Sequence, residues 1–232
     1  MTLFRMAIVS ALACAAAAPS HAQAPAASNP QLESVLTQMD QASDRFKSAT
    51  ADFSWDQYQK VVDEHDVQSG RIYFRRGNRE TQMAADVQKP AKKYVVYSNG
   101  KIEFFQPTIN QLTVKDTGSS RAEVETFLVL GFGGRGHDLP KTYDVTLIGN
   151  ENIDGKNTAK LELVPKSPRV RQMFSKIVIW VDPAQDVSLR QQAFEPSGDS
   201  RTATYTNVRL NSKVPDDVFK IKTDGATKVV KQ

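Results

Sequence analysis

The sequence contains one cysteine, Cys14, and three histidines among 232 residues. Cys14 lies in an N-terminal segment that we expect to be removed, so the mature chain would have neither a disulfide nor thiol chemistry. Long charge runs of one sign are also missing, because 30 basic and 26 acidic residues are interspersed for a net charge of +4. The sequence therefore lacks the basic stripe of a nucleic-acid-binding protein, and we expect no nucleic-acid partner.

Motifs that would indicate an enzyme are scarce. Glycines within 131–136 have the G-x-G-x-x-G spacing of a dinucleotide loop. Pro140 and a β-like segment follow, however, where that loop requires a helix, so a mobile loop is favoured. The run 63–66 contains three acids and one histidine, but adjacent loop residues rarely converge on one metal ion, and a solvated turn is favoured. We predict no enzymatic activity, no cofactor and no metal site.

The N-terminus has the three parts of a secretory signal peptide. Arg5 supplies the positive charge, and residues 6–18 form an almost unbroken apolar run. This run is too short to span a bilayer as a permanent helix. Ser20-His21-Ala22 then offers small residues at the positions that a signal peptidase reads, which predicts cleavage before Gln23.

A lipoprotein signal that ends at Cys14 is the alternative, because small residues also precede this cysteine. The spacing of the apolar residues favours the cleavable signal peptide. We therefore predict a periplasmic protein with a signal peptide over 1–22, a flexible linker over 23–29 and a single domain over 30–232.

Hydrophobic periodicity predicts one helix followed by a series of strands. Asn29-Pro30 is typical of a helix start, and apolar residues at helical spacing extend the helix to Lys47. Apolar and polar residues then alternate, as in strands with one buried face. Asn99-Gly100 between two apolar runs indicates a hairpin, and the absence of long helices favours antiparallel pairing. The predicted strands cover 51–55, 67–76, 94–97, 101–105, 112–114, 143–148, 159–164, 176–181, 189–194 and 201–210.

One segment in the middle of the chain departs from this pattern. Residues 124–130 are apolar and are followed by the glycine-rich stretch 131–136. We interpret them as a short helix or strand that leads into a flexible loop, which is suitable for a lid. The predicted fold is therefore mainly β with helices (α+β), a curved sheet whose concave side is covered by the first helix and this mid-chain segment.

The apolar strand faces have two interpretations. Ile72 and Phe74 share a parity along their strand, and so do the pairs Ile102 and Phe104, Leu161 and Leu163, and Ile177 and Ile179. In a flat sheet such faces form an ordinary core, whereas in a curved sheet they line a cavity. Periodicity alone favours a core.

Four segments occur in an order that is typical of one known family. Ser98–Val114 combines a turn of the D-G-K type, an aromatic strand and a hairpin ending in Q-L-T-V. Gly70–Arg76 is a strand that ends in two basic residues, Leu161–Lys166 has an L-x-L-x-P-K pattern, and Asn207–Ile221 forms a similar ending. In this order, the segments resemble LolA, the periplasmic outer-membrane lipoprotein carrier family, and the resemblance extends over 32–228.

The resemblance implies an incomplete antiparallel β-barrel of the LolA/LolB type, closed by helices around a hydrophobic cavity. It implies acylated lipoproteins as cargo, an inner-membrane ABC-type release complex as donor and an outer-membrane acceptor, and we expect a monomer. Arg76 matches a strand-end arginine that contacts the lid in the family, although Gly77 replaces the usual proline. The candidate lipid-binding residues are Phe53, Trp55, Ile72, Phe74, Ile102, Phe104, Phe127, Leu128, Leu161 and Leu163.

Two alternatives to a lipoprotein carrier stay open. The first is a periplasmic module for lipid or glycolipid binding, or for envelope sensing, on the same fold. The second is an envelope hydrolase, against which the lack of a catalytic motif argues.

Overall fold

The computed structural model of the protein describes residues 29–78 and 80–232. The predicted signal peptide, the linker up to Ser28 and Cys14 lie outside the described residues. Within them, twelve strands form one sheet. The strands are β1 (Ser48–Gln59), β2 (Glu64–Arg76), β3 (Thr81–Lys89), β4 (Lys93–Ser98), β5 (Lys101–Gln106), β6 (Gln111–Asp116), β7 (Tyr143–Ile153), β8 (Lys156–Pro165), β9 (Lys176–Asp182), β10 (Val187–Phe194), β11 (Ser200–Leu210) and β12 (Lys228–Lys231).

Helices are short apart from the first one. The α-helices are α1 (Pro30–Arg45), α2 (Arg121–Leu128), α3 (Leu139–Thr142) and α4 (Pro168–Met173). Single 3₁₀ turns occur at Pro107–Ile109, Gly118–Ser120, Gly136–Asp138 and Asp216–Phe219. The mid-chain apolar segment, for which the sequence left helix or strand open, forms α2.

Helix α1 begins where the sequence predicts. The Asn29 side chain accepts hydrogen bonds from the backbone N–H groups of Gln31 and Leu32, at 3.0 and 3.4 Å, and so caps the first turn. The helix ends at Arg45, slightly before the predicted end at Lys47, because Phe46 adopts an extended conformation. This extended residue turns the chain directly into β1.

The order of the strands across the sheet is β12-β6-β5-β4-β3-β2-β1-β11-β10-β9-β8-β7. Neighbouring strands are antiparallel, except that β12 pairs with β6 in parallel. The sheet is curved but not closed, with β12 and β7 at its two edges. The predicted mainly β fold with an open, curved antiparallel sheet is therefore confirmed. The pairing of β1 with β11 joins the N-terminal and C-terminal halves of the sheet.

The predicted hairpin between β4 and β5 has the expected turn. Asn99 and Gly100 both have positive φ, 55° and 68°, as the two central residues of a type I′ turn require. Strand β3 is missing from the prediction because it contains alanines, Gln82 and Asp86, residue types with low strand propensity. The short strand β12 is also missing from the prediction. It lies at a sheet edge, where its residues are mostly exposed and do not alternate between buried and exposed positions.

Two apolar clusters hold the sheet and α1 together. In the first, Val35, Leu36 and Met39 of α1 pack on buried residues of β8 and β9, including Leu161 and Ile179. The second brings together aromatic side chains from several elements: Phe46, Phe53, Phe74, Phe132, Trp180 and Tyr205. Among the described residues, we find no helix with the length and apolar character needed to cross a membrane.

Candidate functional site

An apolar cavity with a volume of about 320 Å³ lies between the inner face of the sheet and α2. Strands from both halves of the sheet contribute to it, because the β1–β11 pairing lies in the middle of the curved surface. The lining is dominated by aliphatic and aromatic side chains, with Gln191 and Arg201 as polar exceptions. Such a cavity can exclude water from a hydrocarbon chain without imposing directional bonds.

Six of the predicted cavity residues line this cavity. They are Phe53, Trp55, Ile72, Phe74, Phe127 and Leu128. The first four alternate along β1 and β2 with residues that face the other side of the sheet, and the last two belong to α2. The structure thus brings together residues that are about seventy positions apart in the sequence.

The other four candidates do not line the cavity. Leu161 and Leu163 are completely buried beneath α1, where they belong to the ordinary core. Ile102 and Phe104 lie on β5, beyond β4, and the cavity extends along the sheet only as far as Val95 of β4. The parity of Phe104 matches that of Val95, its partner in register. Parity indicates the face of the sheet, but it does not reveal where the cavity ends.

The cavity is covered by residues 121–138, which we call the covering segment. Its Phe127 ring stacks on Phe174 with centroids 5.6 Å apart and planes at 4°. Its Phe132 ring stacks on Phe74 at 4.3 Å and 13°, and meets Tyr205 edge-on at 4.9 Å. Because Phe132 is almost fully buried, the segment fills part of the space that a bound chain would need.

The glycine-rich part of the covering segment is tightly packed, which differs from the expected flexible loop. Gly131 and Gly133 have positive φ, 72° and 79°. A Cβ atom on Gly133 would lie 2.3 Å from the Phe46 ring, and one on Gly136 would lie 2.3 Å from the carbonyl oxygen of Leu36. These glycines therefore permit close packing on α1 and on Phe46, which follows it, rather than phosphate binding.

Arg76, the last residue of β2, connects the covering segment to α1. Its Nη1 donates to the carbonyl oxygen of Ser43 at 2.7 Å, and its Nη2 donates to Ser43 Oγ at 3.0 Å and to the carbonyl oxygen of Gly133. Ser43 Oγ also donates to the Gly133 carbonyl at 2.8 Å. We call Arg76, Ser43 and Gly133 the Arg76 cluster. It joins three elements that are separate in sequence.

A buried carboxyl group lies next to this cluster and was missed by the sequence analysis. Asp186 is fully buried in the turn between β9 and β10, and its carboxyl oxygens have no hydrogen-bond partner among the described residues. Burial raises the pKa of Asp186 well above its ordinary value, while the charge of Arg76 acts in the opposite direction. An aspartate in a turn is ordinarily exposed, so the sequence contains no signal of this burial.

A second set of polar contacts fastens the covering segment to the outer side of α1. His137 Nδ1 lies 2.7 Å from an oxygen of Asp40, and His137 Nε2 lies 2.7 Å from an oxygen of Glu33. Hydrogen bonding to Glu33, followed by that to Asp40, raises the pKa of His137 above its ordinary value. Arg135 pairs with Asp44 at 2.8 Å. Except for Asp40, these side chains are more than 40% exposed, so their stabilising effect is modest.

The start of α2 is anchored to the β4–β5 hairpin. Arg121 pairs with Glu80 at 2.9 Å and with Glu125 at 2.7 Å. The hydroxyl of the buried Tyr97 donates to Glu125 at 2.8 Å. Glu80 also accepts a hydrogen bond from the Gly100 backbone N–H at 3.1 Å. The covering segment is therefore held at both ends, and its middle part lies over the cavity.

The acidic run 63–66 forms an exposed turn and strand start. Asp63 accepts a hydrogen bond from Tyr58 at 3.0 Å, and His65 contacts Asp56 at 2.8 Å. Within 29–78 and 80–232, no group of three or more His, Cys, Asp or Glu side chains is arranged to hold a metal ion.

Comparisons with known proteins give one family. The sequence profile of the family described as "Outer membrane lipoprotein carrier protein LolA" matches residues 44–222. Among curated proteins, no significant match to the sequence was found.

Several solved structures have a similar fold. An uncharacterized conserved protein from Thermus thermophilus matches with a TM-score of 0.56 at 11% identity, covering 87% of this chain and 99% of that one. The MucA/MucB complex of Pseudomonas aeruginosa matches with a TM-score of 0.50 at 13% identity, covering 83% of this chain and 61% of that one. A LolA superfamily protein from Nitrosomonas europaea matches with a TM-score of 0.40 at 15% identity, covering 82% of this chain and 97% of that one. At such identities the likeness concerns the fold alone, and the third score is too low to support an argument.

Proposed function

Because this chain belongs to the LolA family of outer membrane lipoprotein carrier proteins, we propose that it binds the acyl chains of lipoproteins in its apolar cavity. In this proposal it is a periplasmic chaperone that receives lipoproteins from an inner-membrane ABC-type release complex and delivers them to an acceptor at the outer membrane. The observation that carries the proposal is the cavity itself, with its lining of aliphatic and aromatic side chains from both halves of the sheet.

The chemistry of the lining fits this cargo. Exposing an acyl chain to water costs about 0.8 kcal/mol per CH₂ group, so a multiply acylated anchor requires a protected environment between two membranes. An apolar wall recognises hydrocarbon without recognising the protein part of the cargo. A single carrier can therefore accept many lipoproteins.

Loading requires the covering segment to move, because Phe132 and Phe127 occupy the space against the sheet. The hydrogen bonds of the Arg76 cluster have a suitable strength for holding this segment in its closed position. Hydrogen bonds that involve a charged donor are worth about 1.5–3 kcal/mol each, which matches the few kcal/mol that separate two accessible conformations. We propose that Arg76 stabilises the closed, empty state and that acyl chains stabilise the open one.

The test is to identify what the protein binds. Residues 23–232 would be expressed in a Gram-negative periplasm, purified without detergent, and analysed by native and denaturing mass spectrometry. We expect co-purifying acylated lipoprotein, whose mass identifies the cargo. Protein recovered without any acylated molecule, with the cavity also unable to bind a fluorescent fatty acid, would refute the proposal.

A second candidate is a lipid- or glycolipid-binding or envelope-sensing module on the same fold. The fold similarity to the MucA/MucB complex supports it, since a related fold there occurs in a complex with another protein. The same experiment separates the two candidates. Free phospholipid or glycolipid without lipoprotein, and no transfer to outer membranes, would favour this second function.

A further inference from the structure

Helix α4 (Pro168–Met173) leads into Phe174, beside the part of the cavity lining where Phe127 is exposed to solvent, and we call this part the mouth of the cavity. Val170 is buried, and Phe174, directly after the helix, lines the cavity and stacks on Phe127 of α2. Two large apolar side chains beside this contact remain exposed, Met173 at 51% and Phe127 at 42%. Single apolar side chains such as Val61 and Ile109 are exposed elsewhere too, but an exposed pair beside an apolar cavity indicates an interaction surface.

The charges on α4 are basic and unbalanced. Arg169 and Arg171 are both exposed, and neither forms a salt bridge with a carboxylate among the described residues. The Arg171 side chain donates from its Nε to the backbone carbonyl of Pro165. Among the side chains that the structure describes, the helix therefore presents two positive charges without a carboxylate partner.

Acidic groups nearby are already paired with other cations. Glu162 pairs with Lys176 at 2.7 Å, and Glu195 lies 2.8 Å from Arg201, whose guanidinium is 5.9 Å from the Phe174 ring. These two carboxylates are therefore engaged with cations outside α4. The region around the mouth thus combines exposed apolar side chains with positive charge.

We propose that Arg169, Arg171, Met173 and Phe127, which we call the mouth patch, dock the protein on an anionic lipid bilayer. Basic side chains attract anionic headgroups, while exposed apolar side chains enter the headgroup boundary. Docking by this patch turns the mouth of the cavity toward the lipid bilayer, in which acyl chains are embedded. The inference rests on the proposed acyl-chain function, because acyl chains would enter the cavity through its mouth.

The experiment measures flotation of residues 23–232 with vesicles of phosphatidylethanolamine and phosphatidylglycerol, with phosphatidylcholine vesicles as the neutral comparison. We expect binding to the anionic vesicles that falls as salt is added. Each arginine near an anionic surface contributes about five-fold in affinity, so the double variant Arg169→Glu/Arg171→Glu should lose at least about 20-fold. The matched control Lys228→Glu/Lys231→Glu reverses two exposed charges on β12, at the far edge of the sheet, and should change binding by less than about two-fold.

Equal loss in both double variants would overturn the proposal, since net charge rather than the mouth patch would then drive binding. No flotation of the wild type with either vesicle would overturn it as well and would favour a protein as the partner of this surface. Fluorescent fatty acid binding without vesicles separates this failure from that of the proposed function. None of the substituted residues lines the cavity, so all variants should bind the probe equally. If circular dichroism shows that the α4 variant is misfolded, Met173→Ser and the salt dependence of the wild type provide the test.

Discussion

The ring of Phe132 lies 4.3 Å from the ring of Phe74, nearly parallel to it, so the covering segment packs against the wall of the cavity that it encloses. Phe74 is the residue of β2 two positions before Arg76, which bonds the carbonyl of the neighbouring Gly133. The same stretch of strand therefore makes both the apolar and the polar contacts to the covering segment.

Arg76→Leu removes the polar contacts of the Arg76 cluster while keeping an apolar stem. We expect the covering segment to open more readily, so that affinity for a fluorescent fatty acid rises about ten-fold and release to acceptor membranes slows, since about 1.4 kcal/mol corresponds to a factor of ten. Stopped-flow release of the probe measures this effect. Arg75→Leu, on the opposite face of the strand, serves as the control, and unchanged release in Arg76→Leu would remove this residue from the mechanism.

Phe132→Ala removes the aromatic ring that packs on Phe74 and Tyr205. The free energy of unfolding should fall by about 3–5 kcal/mol, the usual cost of deleting a buried aromatic side chain. A fatty acid that occupies the vacated space should recover part of this loss. Urea denaturation with and without the fatty acid measures both the loss of unfolding free energy and its recovery. If the ligand stabilises wild type and variant equally, the ring does not occupy the binding space.

His137 should make stability depend on pH. Its pKa is raised in the folded protein by Glu33 and Asp40, so its contribution is fully present below the unfolded pKa and is lost as the pH rises through the folded value. Because the ring is largely exposed, we expect at most about 1 kcal/mol. The difference in unfolding free energy between wild type and His137→Gln should therefore be larger at pH 5.5 than at pH 9. A difference that is independent of pH would contradict this account.

Asp186→Asn tests the cost of the buried carboxyl group. Burial raises its pKa well above the ordinary value, so the folded protein retains a proton that the unfolded chain releases, and stability declines as the pH rises above the unfolded pKa. The amide has nearly the same shape and tolerates the positive φ of 51° at this position. We expect the variant to be more stable than wild type by about 1–3 kcal/mol at pH 8, with the gain vanishing near pH 4. Stability that falls equally with pH in both proteins would contradict this.

Much of the fold was predictable because it follows from local rules. The Asn29 cap, the alternating faces of β1 and β2, and the Asn99-Gly100 turn all act within a few residues, and the structure has each of them. Strand β3 was not predictable, because its pairing with β2 and β4 compensates for a weak local propensity.

The extent of the cavity could not be predicted, since it depends on where the curved sheet and the covering segment separate. Leu161 and Phe74 have the same alternating pattern in the sequence, yet α1 fills the space above Leu161 and leaves the space beside Phe74 open. The burial of Asp186 and the two contacts of His137 with α1 likewise arise from tertiary packing alone.

Whether acyl chains enter the apolar cavity can be measured with a pair of variants at adjacent positions of β11. Ala203 of β11 lines the cavity, whereas Thr204 is the next residue and faces the other side of the strand. Arg201, the charged residue of the lining, already lies 2.8 Å from Glu195. A second carboxylate on the apolar wall would therefore gain little pairing and would lie next to hydrocarbon, so Ala203→Glu should weaken fluorescent fatty acid binding at least about 20-fold, while Thr204→Glu should leave it within about two-fold of wild type. Equal binding by both variants would mean that acyl chains do not enter this cavity, and the account would fail.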